Sequence, residues 1–137
     1  MDNEQIVKEV YELAFSRGQL DILDQYIKED YVNHNKPPNA APGRAGLKAT
    51  MVRLRGSCPD LAFVIEELVC EGDRVAVRAR MQGTDTGGMN GAPPTGRKFS
   101  IDSLAMIRLE GGTVVERWGL HDTEKLESQL RGPAQHL

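Results

Sequence analysis

The chain has no excess of basic charge: 17 Lys and Arg stand against 20 Asp and Glu, a formal charge of -3. Without a basic field to hold phosphate backbones, nucleic acid is not expected as a partner. Cysteine is nearly absent. Cys58 and Cys70 form no CxxC, no histidine cluster joins them, and two such thiols in a cytosolic chain stay reduced, so both read as packing residues and no metal site is expected. No apolar run approaches a membrane-spanning length, and the start MDNEQIVKEV lacks the basic-then-apolar pattern of a signal peptide, which points to a cytoplasmic location and no membrane partner. Internal repeats are also missing. The glycine-rich TDTGGMNG lacks the spacing of a phosphate loop and any helix after it.

What is present is ordinary globular material. Hydrophobic residues make up 39% of the 137 and charged residues 27%, which fits one folded domain over 1–137, with GPAQHL as a frayed tail. The apolar positions Ile6, Val7, Val10, Tyr11, Leu13 and Ala14 share a helical face within 4–17, and Gly18 supplies a stop. Leu20, Leu23 and Ile27, with Ile22 and Tyr26 beside them, predict a second short helix ending before EDYVNHN. A third helix is predicted over 44–55, with Leu47, Met51 and Leu54 inward and Lys48, Arg53 and Arg55 outward. The linker NKPPNAAPG between the last two must be irregular.

Beyond SCPD the period changes to alternation. Leu61, Phe63 and Ile65 face one way, and Val75, Val77, Ala79 and Met81 repeat the pattern after CEGDR, predicting a hairpin. Residues 84–96 form a loop dense in glycine and proline. A strand over 98–109, a tight EGGT turn and a partner strand over 114–120 follow. Asp122 or Thr123 opens a last helix. Helices first and antiparallel strands second predict an α+β fold, three N-terminal helices packed on a strongly curved, mostly antiparallel sheet with a short C-terminal helix. Such a cone buries its narrow end and leaves its wide end as a pocket.

The segments DYVNHN, IEELVCEGDRVAVR, GTDTG, PPTGRKFSID and ERWGLHDTEKL together resemble the SnoaL-like polyketide cyclase family of the nuclear transport factor two superfamily, over about residues 6–130. The resemblance implies a cone-shaped barrel, dimeric through its sheet, with a largely apolar pocket and no metal or cofactor. It also implies an aspartate as general acid/base, assisted by a histidine on the neighbouring strand. Those two positions fall here on Gly119 and Ala105, so the usual pair is missing and both residues are left as pocket-wall contacts.

The remaining candidates come from ERWGLHDTEKL and its surroundings. Arg117, Gly119 and His121 share strand parity and should face the pocket. An inward arginine needs a carboxylate or a bound anion. His121 reads equally as an acid/base or as a strand-end histidine held by a main-chain group. Trp118 and Glu116 fall on the opposite face, Trp118 under a dimer partner and Glu116 in solvent. Asp122, a secondary candidate, is favoured as a helix cap. In DYVNHN, Asn33 and Asn35 read either as pocket groups orienting a carbonyl, since the resemblance makes the matching asparagine one, or as an Asn/His turn ahead of the proline-rich linker; Tyr31 is expected to touch substrate, and His34, on the other side, is a secondary acid/base. Asp102 is read either as a base or as an ion-pair partner of Arg78 or Arg117, the structural reading being favoured by alternation. The loop over 84–96 should form a pocket lip, with Asp85 and Met89 touching substrate. The expected activity is acid/base cyclisation, isomerisation or hydrolysis of a hydrophobic oxygenated metabolite, polyketide- or terpenoid-like, with a non-catalytic binding module as the alternative.

Overall fold

The structure, a computed structural model, describes residues 1–131. The tail expected to fray lies outside the described residues. Asp2 starts the first helix by accepting the Gln5 amide at 2.8 Å, and α1 covers Asn3–Glu9; such a cap contributes about 1 kcal/mol. The helix then widens into a π-helical segment, Val10–Ser16. One added residue per turn lets Val10, Tyr11, Ala14 and Phe15 point inward together. Phe15, four residues after Tyr11 and eight after Val7, also falls on this stripe at the ordinary helical spacing, whereas Leu13, expected on it, does not. Phe15 is accordingly buried and Leu13 only half-buried. Gly18, at φ +76°, ends the segment. Arg55 is not outward as its helix position suggested: its Nη1 donates to the carbonyls of Phe15 at 3.0 Å and Ser16 at 2.8 Å, closing the helix end.

A short α2, Ile22–Tyr26, runs straight into a strand, β1, Ile27–Asn33. The sequence pattern predicts a helix end and a rim turn here instead. Only Ile27 and Tyr31 in it are buried, and the three residues between them are exposed, so the alternation that marks a strand is absent. The helix α3, Gly43–Ser57, packs against β1.

Four antiparallel strands follow: β2, Ala62–Glu71; β3, Arg74–Thr84; β4, Lys98–Glu110; and β5, Thr113–His121. The sheet order is β1-β5-β4-β3-β2, with β1 parallel to β5 and every other pair antiparallel. The β4–β5 turn needs Gly111 and Gly112, both at positive φ, +55° and +84°. The helices cover one face of the sheet, where Val75, Val77, Ala79, Met81, Ile101, Ile107 and Leu109 meet Tyr11, Phe15, Leu23 and Tyr31 in one core.

The last helix, α4, covers Thr123–Arg131. Asp122 caps it, accepting the Lys125 amide at 3.0 Å. Because β5 stops opposite Ser103, the first residues of β4 have no strand on that side. Gln129 of α4 takes its place. Its side-chain amide accepts from the Ser100 amide at 2.7 Å and donates to the Ser100 carbonyl at 3.0 Å.

Candidate functional site

Along the inner face of β4 and β5 three cross-strand pairs succeed one another: Ile107 with Arg117, Ala105 with Gly119, and Ser103 with His121. The pairing confirms the expected parity of Arg117, Gly119 and His121. It also puts Ala105 directly beside Gly119, two small residues at the centre of the wall. The space they leave is taken by Arg117. Both terminal nitrogens of its guanidinium lie 2.5 Å from the place a Cβ on residue 119 would occupy, so the side chain lies flat across Gly119. Any other residue there would force Arg117 away.

Arg117, Tyr11 and Tyr31 then line an apolar cavity with Val7, Val10 and Ile107. Its volume is about 20 Å³, room for one water. Burial raises the pKa of both tyrosines, opposed in each case by the guanidinium, so both hydroxyls keep their protons at neutral pH and can donate. Among the described residues no carboxylate forms an ion pair with Arg117. His121 sits at the open end, exposed on one side and packed by protein on the other. That packing first, and the Arg117 charge second, push its pKa down to about 4. Its imidazole is therefore neutral at pH 7. No three His, Cys, Asp or Glu side chains among the described residues converge as a metal would require.

Several expected site residues are elsewhere. Asp85 is 1% exposed and turned into its own loop, where its carboxylate accepts from Gly88 at 2.9 Å and from the Thr95 amide and hydroxyl at 3.1 and 3.0 Å. It organises the loop over 84–96 and is no substrate contact. Met89 is buried with its sulfur 3.8 Å from that of Cys58, and lines no part of the cavity. Burial pushes the Cys58 thiol up to about 11, which keeps it a packing residue. Asp102 faces outward and pairs with Arg80 at 3.1 Å, as the structural reading favoured, although the partner is neither Arg78 nor Arg117. Asp122 is the helix cap.

The DYVNHN residues divide. Tyr31 is buried against the cavity. The Asn33 side-chain oxygen accepts the Asn35 amide at 3.0 Å, forming a local turn, and that of Asn35 accepts the Gly119 amide at 2.9 Å, extending the edge of the sheet. Their carbonyls are spent on backbone. His34 lies on the outer face, stacked on Trp118 with ring centroids 4.5 Å apart and bonded to Glu116 at 2.8 Å, away from the cavity. Glu116 is not merely solvated: His34 and then Arg108 hold its carboxyl below the usual range. Tyr11 is the functional candidate that sequence reasoning missed. It reads as one more apolar helix position, and only the contact with Arg117 across the cone gives it chemistry.

The comparisons agree with this architecture. The model of the SnoaL-like polyketide cyclase family matches residues 5–130. No curated protein matches. Among solved structures, TsrD of Streptomyces laurentii is 27% identical, with 95% of this chain and 97% of that one covered and a TM-score of 0.85. IdmH of Streptomyces antibioticus, provisionally assigned as a polyketide cyclase, is 30% identical over 93% of this chain and 97% of its own, with a TM-score of 0.81. AclR of Streptomyces galilaeus, provisionally assigned as a hydroxylase, is 25% identical over 96% and 83%, with a TM-score of 0.80.

Proposed function

Since the chain belongs to the SnoaL-like polyketide cyclase family, we propose that it is a cofactor-independent enzyme acting on a hydrophobic oxygenated metabolite, polyketide- or terpenoid-like, by acid/base cyclisation, isomerisation or hydrolysis. The observation that carries this reading is the Arg117 guanidinium, lying across Gly119 with no carboxylate partner among the described residues and beside two protonated tyrosines. It is a positive charge held where a carbonyl oxygen would gain negative charge. Tyr11 and Tyr31 add hydroxyl donors. His121, neutral above about pH 4, enters as proton acceptor. An anionic intermediate beside Arg117 would offset the charge that lowers the histidine's affinity for protons, so the base strengthens as the enolate forms.

The cavity as it stands is too narrow for such a substrate. That narrowness favours a second reading, a binding module without chemistry. Hydrogen exchange separates the two. In D2O, with a panel of oxo acids and oxo esters, the enzyme should speed deuterium uptake beside the carbonyl. Arg117→Gln should reduce that rate by about 100-fold or more, in the range for removal of an oxyanion donor. Exchange no faster than in buffer, or unaffected by both Arg117→Gln and His121→Asn, rejects the enzyme reading.

We further propose a homodimer through the outer face of the sheet. Val69, Leu104, Met106, Trp118 and Leu120 make an apolar stripe there across three strands, bordering a groove of about 600 Å³, and Leu104 and Leu120 are 53% and 67% exposed. Apolar surface that is contiguous across a sheet face is typical of an interface.

A further inference from the structure

The edge strand β1 stops short of the site it borders. Its last registered pair is Asn33 with Arg117, and its last main-chain bond runs from the His34 amide to the Arg117 carbonyl at 2.9 Å. In a parallel ladder a residue that donates its N–H to one peptide of the neighbouring strand accepts the next N–H on that edge with its own carbonyl, which would make His34 the acceptor for Gly119. The chain turns away instead, held by the Asn33 side-chain oxygen on the Asn35 amide at 3.0 Å. The side chain of Asn35 then does what the strand no longer does, accepting the Gly119 amide at 2.9 Å.

The sheet supplies no substitute for that bond. Peptide groups alternate between the two edges of a strand, so the Gly119 amide, on the same edge as the Arg117 carbonyl, points away from β4, and its pair with Ala105 is of the non-hydrogen-bonded kind. Glycine is also the residue whose backbone is least restrained by a side chain. Both terminal nitrogens of Arg117 lie 2.5 Å from the site of its missing Cβ, so a shift of this backbone moves the surface on which the guanidinium rests.

We infer that Asn35 is a positioning residue for Arg117: its side-chain oxygen fixes Gly119, and with it the seat from which the guanidinium meets the reacting carbonyl. This rests on the reading of Arg117 as the charge that faces the developing oxyanion, and it adds a residue that acts on that charge through the backbone. A positioning role uses the amide oxygen of Asn35, whereas a substrate contact, with that oxygen spent, would use the nitrogen. Asn35→Asp keeps the acceptor and removes the donor; Asn35→Ala removes both.

The test follows the full chain by NMR and then by deuterium uptake into the oxo acid and oxo ester panel. Without ligand, Asn35→Ala should speed hydrogen exchange of the Gly119 amide by about fivefold, the worth of one modest hydrogen bond, and weaken the nuclear Overhauser contact between the Arg117 side chain and the Gly119 α-protons. Asn35→Asp should leave both near native. In catalysed uptake, Asn35→Ala should lower kcat roughly tenfold with KM little changed, less than the loss of about 100-fold for a full ångström of misplacement, while Asn35→Asp stays within about threefold of native. A Gly119 amide as protected in Asn35→Ala as in the native chain overturns the proposal, and so does an undiminished contact between Arg117 and Gly119 in that variant. An Asn35→Asp variant as inactive as Asn35→Ala also overturns it, and assigns Asn35 to the substrate. Failure of the enzyme reading is seen separately, as native protein without uptake above buffer, and the amide and contact measurements then decide alone whether Asn35 holds Arg117.

Discussion

The two faces of β5 carry the same kinds of residue and treat them in opposite ways. On the outer face Glu116 is bonded to both His34 and Arg108, Arg108 reaches Glu110 as well, and His34 stacks on Trp118 with Arg74 over the indole at 5.5 Å. Every charge there has a partner. On the inner face, among the described residues, Arg117 has no carboxylate partner, His121 is held neutral, and the Ser103 hydroxyl has no hydrogen-bond partner. A closed network next to an open one, one residue apart on the same strand, separates structural polarity from polarity kept free for a ligand. The imidazole that looks most like a catalytic histidine by its carboxylate neighbour, His34, is the structural one.

The largest effect expected from breaking this contrast comes at Gly119. A Cβ there meets the guanidinium, so Gly119→Ala should move Arg117 by an ångström or more and reduce exchange about 100-fold, the scale of a misplaced catalytic group. Gly119→Asp should not restore an aspartate general acid. Its carboxylate would pair with Arg117 and be held ionised, which a pH-rate profile lacking a new acid limb would show. Exchange at the native rate in either variant would mean that Arg117 need not lie across Gly119.

Next in size is the outer stripe. Leu104→Glu combined with Leu120→Glu places charges in the centre of the proposed interface and should convert a dimer to a monomer in light scattering, with the monomer still folded. A native protein already monomeric at high concentration would reject the interface.

A smaller effect is expected with pH. The folded pKa of His121 is about 4, against an ordinary value of 6.5. The unfolded chain therefore binds the proton first on acidification, and stability falls as pH drops from about 6.5 towards 4. His121→Asn should flatten that part of the curve in urea unfolding. An unchanged slope would show that the imidazole is freely solvated. His34→Ala should have the least effect, within about 1 kcal/mol and with no change in exchange, as for other exposed pairs.

Much of this was legible in the sequence. The alternation of Val75, Val77, Ala79 and Met81 and the positions of Arg117 and Gly119 follow from a period of two that burial on one side imposes. The strand Ile27–Asn33 was not legible, because its outer residues are charged and only two side chains touch the core. The π-helical turn was not legible either, because Val10, Tyr11, Ala14 and Phe15 share a face at the ordinary helical spacing as well, so their pattern does not mark a wider turn. Loop carboxylates were the hardest to place. Asp85 looks like a pocket residue by composition, and only its three hydrogen bonds within the loop show that it is tied to backbone.

The amide of Gln129 has a consequence for how copies of this chain can meet. Where β4 runs on past β5, the Ser100 N–H and carbonyl would otherwise point into open space, an invitation for a foreign strand to add itself to the sheet. A single side chain on α4 closes that position as a strand of one residue would. Association is thereby steered away from the end of the sheet and towards its flat side, and a helix that contributes no fully buried residue becomes the guard against strand addition.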